Sequence, residues 1–342
     1  MDKRAADRIS EILNPTEEQR ARMLQNILEE RHQKRYQKRG DASVKKLKPA
    51  VAMLVACLLL ATAAVAMAYM GLDAKFISFL KPSGSEQETD LASGACQVDR
   101  QMAGENGTLT VKQAIGDGNL VYLLMEFTAP DGVVLDGARY RFDSFDFDAG
   151  QSFSSTDFLS VEDGNPSDNQ ISLVMSTMTK DSLAGKTVHL KLSDLQAAEP
   201  FPGAFETVAA GEWETSFQLG FQEYSTLYSA GQPIKLFDCD ATLKSVSVSP
   251  ISITMKVESD QLKEINQAAG GGMQSGQINL DNFPITIYYQ DGTSETTTEF
   301  KGMYLSEYLS GEMLMIKTFD SVINDKEIQS ISFFDTKIPI NH

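Results

Sequence analysis

Between Lys48 and Asp73 the chain runs for 24 residues, 49–72, without a single charged side chain, and the run is dense in Ala, Val, Leu and Met. As a helix it would extend about 36 Å at about 1.5 Å per residue, against a bilayer core of about 30 Å. The charges around it are sharply unequal. Residues 31–48 hold eight Lys/Arg and one acid, Asp41, whereas residues 71–90 hold Lys75 and Lys81 against Asp73, Glu86, Glu88 and Asp90. Positive charge stays on the cytoplasmic side of a span, so the N-terminus is expected inside and everything beyond the run outside. The whole chain follows the same division: 13 Lys/Arg against 8 Asp/Glu over residues 1–48, and 17 against 39 over residues 73–342. A formal charge of −17 argues against nucleic acid as a direct partner.

Two rivals to an anchor are weaker. Signal-peptide cleavage could use Ala64–Ala66 or Ala66–Ala68, but the segment ahead of the apolar run would be 48 residues long. Leu54-Val55-Ala56-Cys57 reads like a lipoprotein box, yet the residues after Cys57 are still deep in the apolar run. The run reads as a transmembrane helix and the location as the cell membrane, single-pass.

The head, residues 1–48, carries two amphipathic patterns. Ala5, Ala6, Ile9, Ile12 and Leu13 fall within one arc of about 120° on a helical wheel, and Asn14-Pro15 ends that pattern. Thr16 and Gln19 then make a capping box, with Glu17 and Glu18 suited to the positive end of a helix dipole. In this second helix Met23, Leu24, Ile27 and Leu28 form a stripe at i, i+3, i+4 spacing, ahead of the basic run 31–39. The two helices could simply pack on each other, the basic run serving as a topology signal and a contact for lipid headgroups. Fewer than about 40 residues rarely sustain a core, however, so the exposed stripe points to a cytoplasmic protein partner that takes a helix into a groove.

Beyond the apolar run the pattern changes to strands and turns. Residues 71–81, with Phe76, Ile77, Phe79 and Leu80, read as an interfacial turn of helix, and residues 73–94 as a juxtamembrane spacer. Apolar runs or alternations then recur at residues 109–111, 120–127, 140–142, 171–175, 188–192 and 213–221. A second series occupies 234–237, 243–248, 251–257, 285–289, 313–319 and 328–334. Asp-Gly pairs at 117–118, 131–132, 163–164 and 291–292 punctuate them as turns, and residues 259–269 read as one helical interruption. The expected fold is mainly β: two extracytoplasmic β-sandwich domains of immunoglobulin-like type, 95–221 and 233–342, joined by a linker at 222–232.

The stretch Asn106-Gly107-Thr108-Leu109-Thr110-Val111, the run 118–127 and Gly211-Glu212-Trp213 resemble a family of Firmicutes single-pass proteins whose outer part is the domain of unknown function 4179. Leu243-Lys244-Ser245-Val246-Ser247-Val248-Ser249-Pro250 resembles the start of the immunoglobulin-like domain that often follows it. The resemblance covers most of residues 50–340 and rests on strand patterns. It implies a surface-exposed β-sandwich on one helix and, for members that look like membrane anti-sigma factors, an extracytoplasmic-function sigma factor as cytoplasmic partner. The His/Cys zinc pattern of one anti-sigma class is missing, since His32 is the only His before Cys57 and no Cys precedes Cys57, which leaves zinc-free versions.

The chemistry-bearing residues do not form a catalytic set, and no enzyme or cofactor is expected. His189 lies inside a strand pattern and His342 is terminal; no Gly-x-Ser-x-Gly occurs, and the glycines of 270–276 lack a following Lys-Ser/Thr. Asp143, Asp146 and Asp148 could offer oxygen ligands to Ca²⁺ but miss the spacing of a calcium loop. Cys96 and Cys239 both lie outside and could pair, although in different domains, and Trp213 reads as core. The expected function is a transmembrane signalling regulator with an outer ligand that the sequence does not name. The alternative is a surface-binding or adhesion module on a topogenic tail.

Overall fold

The polar stretch ahead of the first strand is helical. α1 (Ala74–Leu80) is capped by Asp73, whose side chain accepts from the Lys75 N–H at 2.9 Å, and it ends at Lys81 in the left-handed conformation. α2 (Ser85–Ser93) follows, with Glu86 and Glu88 in its first turn. These helices come from a computed structural model that describes residues 71–151, 154–161, 165, 168–200, 203–269, 284–297, 301–307, 309–334 and 336–340. The stripe Met23, Leu24, Ile27 and Leu28, expected on the cytoplasmic side, and the apolar run as far as residue 70 lie outside the described residues. No helix among the described residues is long and apolar enough to cross a membrane.

The rest is mainly β, with every strand pairing antiparallel. β1 (Ala95–Gly104), β2 (Gly107–Gly116), β3 (Leu120–Thr128), β6 (Gln170–Thr179) and β5 (Ser154–Val161) lie side by side in that order. β4 (Arg139–Asp148), β7 (Thr187–Ala198) and β8 (Glu206–Gln218) make a second sheet. One apolar core takes residues from both, including Val121, Leu123, Met125 and Phe127 of β3, Leu190 and Leu192 of β7, and Trp213 of β8. This is the N-terminal sheet pair.

The C-terminal pair repeats the plan. β14 (Lys301–Glu307), β15 (Glu312–Thr318), β11 (Ser252–Glu258), β10 (Cys239–Val248) and β9 (Thr226–Leu236) form one sheet. β13 (Ser294–Thr297), β12 (Ile285–Tyr289), β16 (Ile328–Phe333) and β17 (Thr336–Pro339) form the other. Asp291-Gly292 turns β12 into β13, with Gly292 at φ 86° and the Asp291 carboxylate accepting from the Thr293 N–H at 2.8 Å. Between β11 and β12 lies α3 (Leu262–Ala268), whose Leu262 and Ile265 enter the second core.

A third core lies where the two pairs meet. On β3 the odd positions face the first core, whereas Leu120, Tyr122 and Leu124 face outward into this one. On β15 Met313 and Met315 face the second core, and Leu314 and Ile316 face the third. Both strands are therefore buried on two faces, which explains why residues 120–127 read as a nearly continuous apolar run. Phe76 and Leu80 of α1 and Leu91 of α2 complete the third core.

Two expectations are corrected here. Residues 73–94 are not a polar spacer: Phe76 and Leu80, one turn apart on α1, and Leu91 on α2 are buried. The linker expected at 222–232 is shortened because β9 begins at Thr226, pairing with β10.

Candidate functional site: the junction of the sheet pairs

The junction is built around a turn residue. Asp117 follows β2, and its Oδ1 accepts from the N–H groups of Asn119 at 3.0 Å and Leu120 at 2.9 Å, forming an Asx turn that opens β3. Its Oδ2 points away from that turn and accepts from the hydroxyls of Ser249 at 2.6 Å and Ser252 at 2.5 Å. Those serines bracket the turn between β10 and β11. The Ser249 Oγ also accepts from the N–H groups of Ile251 at 3.2 Å and Ser252 at 3.0 Å, so the hydroxyls are held before they meet the carboxylate. Asp117 is only 2% exposed, and its four partners are neutral donors. Burial pushes its carboxyl above the usual range, against the downward pull of these hydrogen bonds.

Two tyrosines share this environment. Tyr122 on β3 is buried, bonds through its hydroxyl with Thr318, and meets the Phe79 ring edge-on at 5.2 Å. Tyr224, between β8 and β9, has a buried hydroxyl with no hydrogen-bond partner. Burial raises both phenols, and the Asp117 charge raises them further. Gly94 packs directly under the Tyr224 ring, where a Cβ would collide with it.

The two helices are stitched to the same place, chiefly through the outer face of the N-terminal pair. The Asp73 N–H donates to the Gln113 side chain at 3.0 Å, and Lys75 Nζ reaches Ser172 at 2.5 Å and Glu126 at 3.2 Å. The Gly116 N–H donates to the Gly94 carbonyl at 3.0 Å, just ahead of Asp117. From the C-terminal pair, the Val322 N–H donates to the Leu80 carbonyl at 3.1 Å, and Lys326 pairs with Asp90 at 2.6 Å. Lys180 and Glu307 also pair across the junction at 2.5 Å. The last two pairs are at least partly solvent-exposed and contribute little; the buried groups carry the junction. Beside it opens a cleft of about 420 Å³ between Phe79, Lys81, Tyr122, Leu159, Ile251 and Asp320.

The residues singled out from sequence are scattered. The Asp143 carboxylate accepts from Gln196 at 2.9 Å, Asp148 from the Gly150 N–H at 2.8 Å, and Asp146 lies opposite Lys191. Among the described residues no three His, Cys, Asp or Glu side chains converge as a metal site. His189 is exposed beside Ser216 and Glu214. Cys96 and Cys239 are both free, the first in the N-terminal core and the second against the C-terminal one. Trp213 is core, donating through Nε1 to the Gly107 carbonyl at 3.2 Å and meeting Phe127 edge-on.

No protein-family model matches the chain, and no curated protein matches it. Among solved structures it is similar to the crystal structure of the conserved domain protein from Bacillus anthracis, with a TM-score of 0.46 and 11% identity over 69% of this chain and 75% of that one. A likeness that distant carries no functional argument. In the sequence Asp117-Gly118 reads as an ordinary turn, and Ser249 stands out only within the stretch that resembles the start of an immunoglobulin-like domain. Nothing local marks them as partners, because 132 residues separate the two.

Proposed function

We propose that the chain is a single-pass membrane regulator. Its N-terminus is cytoplasmic, its two sheet pairs are extracytoplasmic β-sandwiches of immunoglobulin-like type, and its cytoplasmic helices hold a protein partner. An extracytoplasmic-function sigma factor is the partner that the family resemblance favours. One observation carries this reading over adhesion: the helices that follow the apolar run are part of the core between the sheet pairs. An adhesion module needs only a tether, and a polar spacer would serve. Here Phe76, Leu80 and Leu91 are buried between the pairs, so a ligand that shifts one pair against the other also shifts the chain at residue 71. That is the mechanical requirement for a signal to leave the outer body along one helix.

The test is at the other end. Leu24 lies on the apolar stripe and Gln25 on the opposite side of the wheel. Leu24→Asp buries a charge in the partner's groove and should lower partner retention from membranes by about tenfold or more, whereas Gln25→Asp adds the same charge in water and should leave it unchanged. Equal retention of a cytoplasmic partner by both variants at matched expression would return the head to a topology signal.

A further inference from the structure

We propose that Asp117 is a proton-controlled latch: neutral, it holds the two sheet pairs closed over α1 and α2; ionised, it favours their parting. The geometry argues for it first. The side chain leaves its own turn, crosses the junction and ends on two hydroxyls of the other sheet pair, in a place that water does not reach. A carboxylate enclosed by neutral donors alone keeps a charge with no opposite charge beside it, and enclosure of that kind is costly. When the pairs part, Asp117 keeps the Asn119 and Leu120 N–H groups and exchanges the two hydroxyls for water. The anion gains by opening; the neutral acid does not.

The surrounding charges do not cancel this preference. Tyr122 faces Asp117 from β3 and Tyr224 from the segment after β8, and both phenols are held neutral over the relevant range. Glu223 lies against Gly118 from the same segment, with its carboxylate turned to the Ser182 and Ser225 hydroxyls. Asp325 adds negative charge beyond Tyr224, and Lys326 next to it is taken by Asp90. Lys180, whose carbonyl accepts from Asn119, is taken by Glu307. Lys317, next to Thr318 on β15, reaches the Thr297 carbonyl within the C-terminal pair. The Ser249–Ser252 turn carries no charge.

The sign follows from the direction of the shift. Burial raises the Asp117 carboxyl in the closed state above its value in the open one, so closure takes up a proton. The stabilisation of the closed junction is complete in acid. It is lost as pH rises from the ordinary carboxylate range, about 3.9, up through the raised closed-state value, and is flat above that. The latch belongs to the outer body and stands or falls independently of what the N-terminal helices bind.

Hydrogen exchange on the full chain in detergent micelles reads it. The reporter is the Val322 N–H, which donates across the junction to the Leu80 carbonyl. From about pH 4 to about pH 8 its protection factor should fall by about tenfold for each unit by which closure raises the carboxyl, while the Trp213 amide, on β8 in the first core, stays constant. In Asp117→Asn the charge is gone, and Val322 protection should no longer depend on pH. Should that variant not fold, Ser252→Ala serves: it withdraws one donor from the closed anion, so the fall should become larger. A wild-type protein with no pH dependence at Val322 overturns the latch. So does an Asp117→Asn protein that keeps the wild-type dependence, or a Ser252→Ala protein with an unchanged or smaller fall.

Discussion

Phe76 shows how one side chain separates two pictures of residues 71–81. As part of an interfacial turn it would dip into headgroups, and replacing it would change little in the sheet pairs. It is instead fully buried in the third core, among side chains of both sheet pairs. Phe76→Ala should therefore destabilise the sheet pairs by about 3–5 kcal/mol, the usual cost of a buried aromatic cavity, read as a lower denaturant midpoint. Ser78, exposed on the same helix, is the control: Ser78→Ala should fall within about 0.5 kcal/mol of wild type. A Phe76→Ala midpoint that matches the control would restore the interfacial picture. Asp117 illustrates the converse difficulty. Its local signal, Asp before Gly, correctly announces a turn, but a turn signal is silent about where the second carboxylate oxygen points.

At the level of elements, β3 makes the sharpest statement. A strand in a single sheet pair buries one face, and its two faces tolerate substitution unequally. Leu123 and Leu124 are adjacent and point to opposite faces, yet both are buried, one in the first core and one in the third. Leu123→Ala and Leu124→Ala should each cost about 2–5 kcal/mol in equilibrium unfolding. A near-neutral Leu124→Ala would mean that the third core is not closed in solution. The same strand shows what the sequence could convey. Alternation at Leu109 and Val111, the Asp-Gly turn of β12 into β13 and the helix near residue 262 were all legible, because each is a local pattern of period or turn chemistry. β5 escaped notice because its mostly exposed pattern, Ser154 to Val161, has little apolar alternation to detect. α1 and α2 were legible as polar or interfacial segments but not as core, since three buried side chains in twenty residues are too few to form a stripe. The candidate site was hidden for the same reason at longer range: it is assembled from turns, and turns announce only themselves.

For the molecule as a whole, the third core sets where the folded unit begins. The sheet pairs alone start at Ala95, and a reading based on strands would cut the chain near there or at Ser83. Each cut removes something different. A fragment from Gly71 keeps α1, α2 and the bonds from Asp73 to Gln113 and from Lys75 to Ser172 and Glu126. A fragment from Ser83 loses Phe76 and Leu80 but keeps Leu91, and one from Ala95 loses all three. Each buried side chain of this size contributes about 1.5–3 kcal/mol, so stability should fall in the order Gly71, Ser83, Ala95. Losing α1 and α2 also uncovers Leu120, Tyr122, Leu124 and Val174 on the outer face of the first sheet, an apolar patch of the kind that makes a soluble body associate. The Ala95 fragment should accordingly bind a hydrophobic dye and sediment as a mixture of species, while the Gly71 fragment remains dye-free and unfolds in one transition that includes both sheet pairs. Equal stability of the Gly71 and Ala95 fragments, with no dye binding by either, would show that the helices lie on the body without holding it together. The helices could not then pass a movement of one sheet pair against the other back to residue 71.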